Sequence, residues 1–147
     1  MALSGETKFI EGGLHTDERG NIRFVNDFDL SPVKRFYITT NKDVNVIRAW
    51  QGHKIESKWF YCLSGTFDIR LIKMDNWDKP SKDLKVTNYI LQSDQPGVLY
   101  VPKGFLNGFR AIEQNSRMLV FSDLTIDESM NDIYRFPKNY WFDWPTI

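Results

Sequence analysis

The sequence predicts an all-β domain, and three observations lead to that prediction. Its 147 residues are enough for one hydrophobic core of ordinary size, so a single domain over residues 1–147 is expected. About nine short segments of extended character recur along the chain, each bounded by turn-forming residues. Aromatic residues make up 15% of the chain, and large flat side chains favour strands. Short strands at this spacing are typical of a sandwich or a barrel.

The predicted strands follow one another with turn signals between them. Residues 66–72 alternate most clearly: Phe67, Ile69 and Leu71 share one face, whereas Asp68 and Arg70 share the other. The polar residues 73–83 are predicted to form an exposed loop. The full set of predicted strands is 22–28, 33–39, 46–50, 58–63, 66–72, 86–91, 98–101, 108–111 and 118–122.

Only the C-terminal part of the chain has helical character. Thr125 and Glu128 stand three positions apart, as in a capping box, so a short helical turn is predicted over residues 128–133. The tail that follows, residues 134–147, is rich in aromatic residues and contains two prolines. Such a segment must lie against an apolar surface, either that of the barrel or that of a partner subunit.

Charge and cysteine content narrow the range of partners. Lys plus Arg and Asp plus Glu each number 19, so the formal net charge is zero, and neither nucleic acid nor an anionic membrane is expected as a partner. Cys62 is the only cysteine, which excludes an internal disulfide and a thiolate metal cluster. The sequence shows no signal-peptide pattern and no apolar run long enough to cross a membrane. We therefore expect a soluble cytoplasmic protein.

Two stretches carry the residues that indicate a chemistry. The first runs from Arg48 to Lys54 and continues through Lys58, and the second is the segment 97–109. A strand, a turn and a Pro-x-Gly segment in this order resemble the two motifs of the cupin superfamily. The resemblance implies a double-stranded β-helix, or jelly roll, with a cavity at one end. The predicted helical turn and the aromatic tail follow this jelly roll at the C-terminal side.

Further matches extend from Arg19 to about Tyr134 and narrow the resemblance to the RmlC-like cupins. Those similar to the WxcM-like nucleotide-sugar 3,4-ketoisomerases are Arg19-Gly20, the segment 33–37, Arg48, His53-Lys54, the segment 63–65 and Ser122-Asp123. Those similar to the dTDP-4-dehydrorhamnose 3,5-epimerases are Pro102, Gly104-Phe105 and Gly108-Phe109. The resemblance implies an isomerase or epimerase that acts, without a cofactor, on a nucleotide-linked 4-keto-6-deoxy sugar, with dTDP as the expected nucleotide.

The sequence departs from both families at their catalytic histidines. Gln51 stands where the ketoisomerases have the first histidine of the first motif and where the epimerases have their base. Asn107 stands where the epimerases have a histidine in the second motif. Lys58 matches a lysine that contacts the substrate in the epimerases. Because one imidazole beside a cation and two amides is a poor donor set for a divalent ion, no metal is expected.

The remaining residues suit proton transfer next to a ketone. That chemistry needs a base with a pKa near neutrality and a positive charge where the oxyanion develops. We therefore take His53 as the candidate acid/base and Lys58 as the candidate catalytic cation. The candidate substrate-binding residues are Arg48, Gln51, Asn107 and Tyr100.

Each assignment has a structural alternative. His53 can be an ordinary core or surface histidine, Arg48 can pair with a surface carboxylate, and Lys58 can pack against Trp59. On a regular strand Arg48 and His53 face opposite ways unless a bulge or turn near Gly52 intervenes.

The protein as a whole also has alternative interpretations. Since Gln51 replaces the usual histidine, one alternative is a non-catalytic cupin that binds a nucleotide sugar or carbohydrate, and a metal-dependent oxygenase is the third. A homodimer is expected, because the aromatic tail and the N-terminal strands offer apolar and edge surface.

Overall fold

The computed structural model describes residues 5–146, which form two five-stranded sheets, a two-stranded hairpin and one short helix. The strands of this part of the chain are β1 (Lys8–Glu11), β2 (Gly13–Asp17), β3 (Gly20–Phe24), β4 (Arg35–Thr40), β5 (Ile47–Gly52), β6 (Lys58–Ser64), β7 (Thr66–Lys73), β8 (Thr87–Gln92), β9 (Gly97–Val101), β10 (Phe105–Ala111), β11 (Arg117–Ser122) and β12 (Tyr134–Arg135). Helix α1 (Ile126–Met130) lies between β11 and β12.

The two sheets face each other in a jelly roll. The first sheet has the strand order β1-β9-β6-β11-β4 and the second has the order β12-β5-β10-β7-β8, while β2 and β3 pair with each other as the hairpin. All of these pairs are antiparallel. From β4 to β7 and again from β8 to β11 the chain passes repeatedly from one sheet to the other. The all-β jelly-roll prediction is therefore confirmed.

The main core lies between the sheets and follows the predicted alternation of β7. Phe67, Ile69 and Leu71 are each at most 1% exposed, and they pack with the inward residues of the facing sheet. On the opposite face, Arg70 Nη2 lies 3.2 Å from Asp68 Oδ2. Burial of large apolar side chains such as these stabilises the fold by roughly 1.5–3 kcal/mol each.

The aromatic tail covers the outer face of the second sheet. Trp144 packs with Trp50 of β5, their ring centroids 5.7 Å apart, in a second apolar cluster on that face. The backbones of Trp50 and Phe136 exchange two hydrogen bonds of 3.0 and 3.1 Å. The indole N–H groups of both tryptophans donate to the carbonyl oxygen of Lys138, at 3.0 and 3.1 Å. The tail was predicted to lie against the barrel or against a partner subunit, and the structure shows it packed against the jelly roll.

The C-terminal helix begins two residues earlier than predicted. The capping box is present: Glu128 N donates to Thr125 Oγ1 at 3.2 Å, and Thr125 N donates to Glu128 Oε1 at 2.9 Å. Because the capping residue precedes the first helical turn, the helix starts at Ile126 and ends at Met130 instead of covering residues 128–133.

Three strands lie outside the segments predicted as strands, namely β1, β2 and β12. The side chains of β1 and β2 are mostly exposed, so no apolar alternation marks them in the sequence. Strand β12 has only two residues, which is too short for any periodicity. Among the described residues, none of the helices is long and apolar enough to cross a membrane.

Candidate active site

A cavity of about 360 Å³ opens between the two sheets, on the inner side of β5. Six strands contribute to it, which is why residues far apart in the sequence meet there. Its walls combine apolar and polar side chains, namely Tyr37, Thr39, Ile47, Arg48, Ala49, Trp50, Gln51, Lys58, Phe60, Asn107, Phe109, Val120 and Arg135. Four of the residues predicted from the sequence are therefore brought together: Arg48, Gln51, Lys58 and Asn107.

An irregularity in β5 places Arg48 and Gln51 on the same cavity. On the neighbouring strand β10, Asn107 pairs with Gln51 and Phe109 pairs with Arg48. Two steps along β10 thus correspond to three steps along β5, as in a β-bulge. The extra residue reverses the ordinary alternation, so side chains that would face opposite ways on a regular strand both line the cavity.

The charged side chains that line the cavity are all cationic in the described part of the chain. They are Arg48, Lys58 and Arg135. Arg48 is held at the rim by neutral acceptors, since its Nε donates to Asn41 Oδ1 at 2.8 Å and its Nη2 donates to Thr40 O at 3.0 Å. These contacts orient the guanidinium without neutralising it. The cavity is therefore suited to an anionic ligand.

Lys58 and Tyr37 form a hydrogen-bonded pair in the cavity wall. Lys58 is buried, and its Nζ donates to Tyr37 Oη at 3.1 Å. Because an ammonium group can only donate, the phenol oxygen is the acceptor, and its own proton stays available for another acceptor. The pair thus presents a polarised O–H and a positive charge to the same ligand. Sequence reasoning missed Tyr37, although it alternates with Arg35 and Thr39 along β4, and this spacing marks one face of the strand.

His53 is buried next to the cavity but is not part of its lining. Its side chain is 4% exposed, and Nδ1 lies 2.6 Å from the backbone oxygen of Asp132. Since a carbonyl oxygen can only accept, Nδ1 carries the proton, and Nε2 is left with a free lone pair. No group among residues 5–146 makes a hydrogen bond to Nε2. Burial, together with the charge of Lys58, lowers the pKa of His53, which keeps the imidazole neutral at neutral pH.

A buried network of polar groups holds the turn that contains His53. Glu56 Oε1 lies 3.3 Å from His53 Nδ1 and accepts from Ser129 Oγ at 2.7 Å. Glu56 Oε2 accepts from the hydroxyl of Ser122 and lies 3.1 Å from Arg35 Nη2. Burial by itself raises the pKa of Glu56, but the charge of Lys58 and the two serine hydroxyls outweigh it, and the net shift is downward.

The side chain of Asp132 ties this turn to the end of the helical segment. Its carboxylate accepts from the backbone N–H groups of Lys54, Ile55 and Glu56 at 2.9, 2.9 and 2.8 Å. The same residue therefore fixes the backbone of the turn with its side chain and the tautomer of His53 with its carbonyl.

Tyr100 lies on the other side of the first sheet from the cavity, which corrects its assignment as a substrate-binding residue. It packs against Trp59 with ring centroids 5.2 Å apart, in a buried cluster with Val98. Leu99 and Val101, which alternate with it on β9, point into the main core instead. Burial raises the pKa of the Tyr100 phenol. From this position Tyr100 does not reach a ligand in the cavity.

Metal-ligating side chains do not gather in the part of the chain that the structure describes. No three His, Cys, Asp or Glu side chains within residues 5–146 are placed so that they could hold a metal ion. At the cavity, the nearest equivalents are the amides of Gln51 and Asn107 next to the Lys58 ammonium, and this donor set does not fit a divalent cation.

Comparison with known proteins places this geometry in a structural context. No protein-family model and no curated protein matches the chain. Among solved structures, the RmlC epimerase of Mycobacterium tuberculosis matches with a TM-score of 0.76 at 16% identity, over 100% of this chain and 78% of that one. A 3,4-ketoisomerase from Helicobacter canadensis matches with a TM-score of 0.70 at 19% identity, over 94% and 96% of the two chains.

A third similar structure is the sugar 3,4-ketoisomerase QdtA from Thermoanaerobacterium thermosaccharolyticum, solved in complex with TDP. It matches with a TM-score of 0.67 at 22% identity, over 91% of this chain and 90% of that one. All three likenesses extend over nearly the whole chain, at low sequence identity. The protein therefore has the RmlC-like cupin jelly-roll fold that its motifs resemble.

Proposed function

We propose that this protein is an isomerase or epimerase of a nucleotide-linked 4-keto-6-deoxy sugar, with thymidine diphosphate as the expected nucleotide. One observation carries the proposal: the cavity brings together Lys58, Tyr37 and two arginines, and no carboxylate of the described chain lines it. Such a lining suits a ligand with a phosphate group and a carbonyl oxygen. The similar ketoisomerase that was solved with TDP supports the choice of nucleotide.

The proposed reaction moves a proton next to the ketone. A base removes the proton from the carbon beside the carbonyl, and the C–H electron pair forms a C=C bond while the carbonyl electrons move to oxygen. The Lys58 charge and the Tyr37 hydroxyl stabilise the resulting enolate oxygen. Protonation of the same carbon from the other face, by a second acid, gives an epimer. For the 3,4-isomer, the enolate oxygen takes up the proton of the neighbouring 3-hydroxyl, whose oxygen becomes the new carbonyl as the base returns its proton to the former carbonyl carbon.

His53 is the proposed base. Its neutral imidazole has a free Nε2 lone pair, and the interior position next to Lys58 keeps water away from it. Since His53 lies outside the cavity lining, direct transfer requires the ring and the ligand to approach each other when the ligand binds. The proposal therefore depends on a small rearrangement around the turn that Asp132 holds.

The alternative function is a binding module without turnover, and one observation favours it. Gln51 and Asn107, which line the cavity, are amides that cannot act as a general acid or base at neutral pH. The only imidazole in the jelly roll of the described chain, that of His53, does not line the cavity. A protein of this kind binds the nucleotide sugar without changing it.

Deuterium exchange distinguishes the two functions. The protein is incubated with TDP-4-keto-6-deoxyglucose in heavy water, next to a sample without protein, and deuterium beside the ketone is measured by mass spectrometry and NMR. We expect incorporation with the unchanged protein and its loss in His53→Asn, whose folding is checked by circular dichroism. Tight binding in calorimetry without any incorporation contradicts the enzyme and supports the binding module. Undiminished exchange in His53→Asn removes that residue from the mechanism.

We also propose that the protein is a cytoplasmic homodimer that meets its small-molecule substrate in solution. The support for a dimer is an exposed apolar surface on the edge strand β4, where Phe36 is 65% and Ile38 is 52% exposed. A second copy covering this surface removes it from water. Light scattering should give the mass of a dimer for the unchanged protein and that of a monomer for Phe36→Asp; a monomer in both cases contradicts the proposal.

A further inference from the structure

Two side-chain amides in the cavity wall have no role in the proposed chemistry. Gln51 of β5 and Asn107 of β10 are direct partners across these two antiparallel strands, and both side chains line the cavity. Directly opposed residues of such a pair carry their side chains on the same face, with Cβ atoms roughly 5 Å apart. The two amides therefore stand side by side at one place in the wall.

Neither amide has a partner within the part of the chain that the structure describes. Asn107 is only 6% exposed, yet its amide, like that of Gln51, makes no hydrogen bond there. A polar side chain this deeply buried is normally hydrogen-bonded, so the missing protein partner points to a ligand group in the cavity. Each amide offers N–H donors and an acceptor oxygen. Together they can bracket a group that both donates and accepts, and a hydroxyl is such a group.

The amides face the reacting groups of the proposed mechanism across the cavity. Lys58 and Tyr37 stand on β6 and β4 of the first sheet. Gln51 and Asn107 stand on β5 and β10 of the second sheet. The cavity of about 360 Å³ between these two walls is large enough for a sugar ring. A ring that turns its ketone toward Lys58 therefore presents its remaining polar groups to the amides.

The chemistry of the proposed substrate leaves one hydroxyl for this position. A 4-keto-6-deoxyhexose that is joined to its nucleotide through carbon 1 has free hydroxyls only at carbons 2 and 3. The 3-hydroxyl stands beside the ketone and belongs to the reacting part of the sugar. The 2-hydroxyl takes no part in the reaction, and its oxygen can accept from one amide while its proton is donated to the other.

The charge of the cavity disfavours an amine at the same place. Within the described chain, the charged residues that line it are all cationic, and no carboxylate stands among them. An ammonium group on the sugar would be held near these charges in a space partly shielded from water, where like charges repel more strongly than in bulk water. The lining thus favours a neutral substituent over a positively charged one.

We infer that Asn107 and Gln51 select the 2-hydroxyl of the sugar, so that the substrate is a 2-hydroxy sugar and not a 2-deoxy or 2-amino sugar. This inference rests on the proposed function and adds a substrate class to it. A site built to hydrogen-bond a hydroxyl rejects an analogue without one, because its own polar groups are then left unpaired.

Calorimetry with sugar nucleotides that lack the ketone tests the inference without turnover. Thymidine diphosphate, TDP-6-deoxyglucose and the 2-deoxy and 2-amino analogues of this sugar nucleotide are titrated into the full-length protein and into Asn107→Leu, Gln51→Glu and Asn139→Leu. The last variant is the matched control, because Asn139 is an exposed amide that does not line the cavity. Circular dichroism checks that each variant is folded.

The expected result is a preference that depends on the amides. The unchanged protein should bind TDP-6-deoxyglucose about tenfold more tightly than its 2-deoxy analogue, and at mildly acidic pH the protonated 2-amino analogue more weakly still. Asn107→Leu should abolish this preference without weakening thymidine diphosphate, and Asn139→Leu should keep it. Gln51→Glu should favour the 2-amino analogue, because a carboxylate pairs with an ammonium group. A general structural defect would weaken all four ligands alike.

The outcomes separate this inference from the proposed function. If the unchanged protein binds TDP-6-deoxyglucose and its 2-deoxy analogue equally well, the inference is wrong and the proposed function stands. If Asn107→Leu weakens thymidine diphosphate as much as the sugar nucleotides, the amides contact the nucleotide and the inference is again wrong. If the preference is found but no deuterium enters beside the ketone, the inference stands and the proposed activity is wrong. If none of the ligands binds, both are wrong.

Discussion

The cavity and the buried network beside it both contain charged side chains, but they differ in how many of those charges have partners within the protein. In the network around Glu56, the carboxylates accept from several donors each, and a single polar atom of this group, His53 Nε2, has no partner within the described chain. In the cavity, the cations have neutral partners or none at all. Satisfied polar groups stabilise a fold, whereas unsatisfied ones are available to a ligand. The contrast favours a structural role for the satisfied groups of the network and supports the cavity as the proposed binding site.

The largest expected effect is on stability, in the network. Glu56→Gln keeps the size of the side chain but removes a charge that faces Arg35 and Lys58 in the interior. Because an uncompensated buried charge remains, we expect the free energy of unfolding to fall by about 3–5 kcal/mol in urea titrations. A loss below about 1 kcal/mol would contradict the structural role of the network.

The next largest effect is on catalysis, in the cavity. Lys58→Met removes the charge proposed to stabilise the enolate oxygen, and we expect deuterium incorporation to slow by about 10²–10³-fold. Lys54→Met is the matched control, because Lys54 lies over the Tyr134 ring, 4.8 Å from its centroid, and does not line the cavity. Equal rates in the two variants would show that Lys58 has no catalytic role.

A smaller effect is expected in the pH dependence of stability. Burial and Lys58 lower the pKa of folded His53 below the 6.5 of the free side chain, so at mildly acidic pH the unfolded chain binds the proton more readily than the folded one. The contribution of neutral His53 to the free energy of unfolding is therefore fully present above about pH 6.5. It is lost as the pH falls toward the folded pKa, by at most about 1.4 kcal/mol per pH unit. Urea titrations between pH 8 and 5 should show a shallower decline for His53→Asn. Parallel curves for the two proteins would contradict this.

The smallest effect is expected far from both regions. Lys34 Nζ lies 3.2 Å from Glu128 Oε1, and both side chains are about half exposed, at 49% and 47%. Water and salt screen such a pair, so Lys34→Gln should leave the free energy of unfolding unchanged within the error of a urea titration. A loss as large as that in Glu56→Gln would remove the distinction between buried and surface charge pairs in this protein.

Much of the fold could be predicted because local patterns determine it. The alternation of Phe67, Ile69 and Leu71 predicted the face of β7 that is buried, and Thr125 with Glu128 predicted the capping box. The prediction for Tyr100 failed for a physical reason. Both faces of β9 are buried, one in the main core and the other in the cluster of Trp59, Val98 and Tyr100. Its sequence therefore carries no alternation of apolar and polar residues from which the inward face could be chosen.

The candidate site was only partly predictable, because its composition depends on long-range pairing. Arg48, Gln51, Lys58 and Asn107 stand within recognisable motifs, and the structure brings them to one cavity. Arg135 lies in no motif and arrives through the pairing of β12 with β5. His53 lies outside the cavity lining because its Nδ1 is hydrogen-bonded to the backbone oxygen of Asp132, which is 79 residues away in the sequence. Contacts at that separation cannot be inferred from the periodicity of either segment.

The carbonyl of Lys138, which receives both tryptophan indoles, has a consequence for engineering. It anchors the last stretch of the chain through a main-chain atom, so the identity of the side chain at that position is unconstrained by the anchor. Substitution of the Lys138 side chain should therefore leave the anchor in place, whereas Tyr134 and Phe136 before it are constrained, because they pack against Trp77 and Trp141.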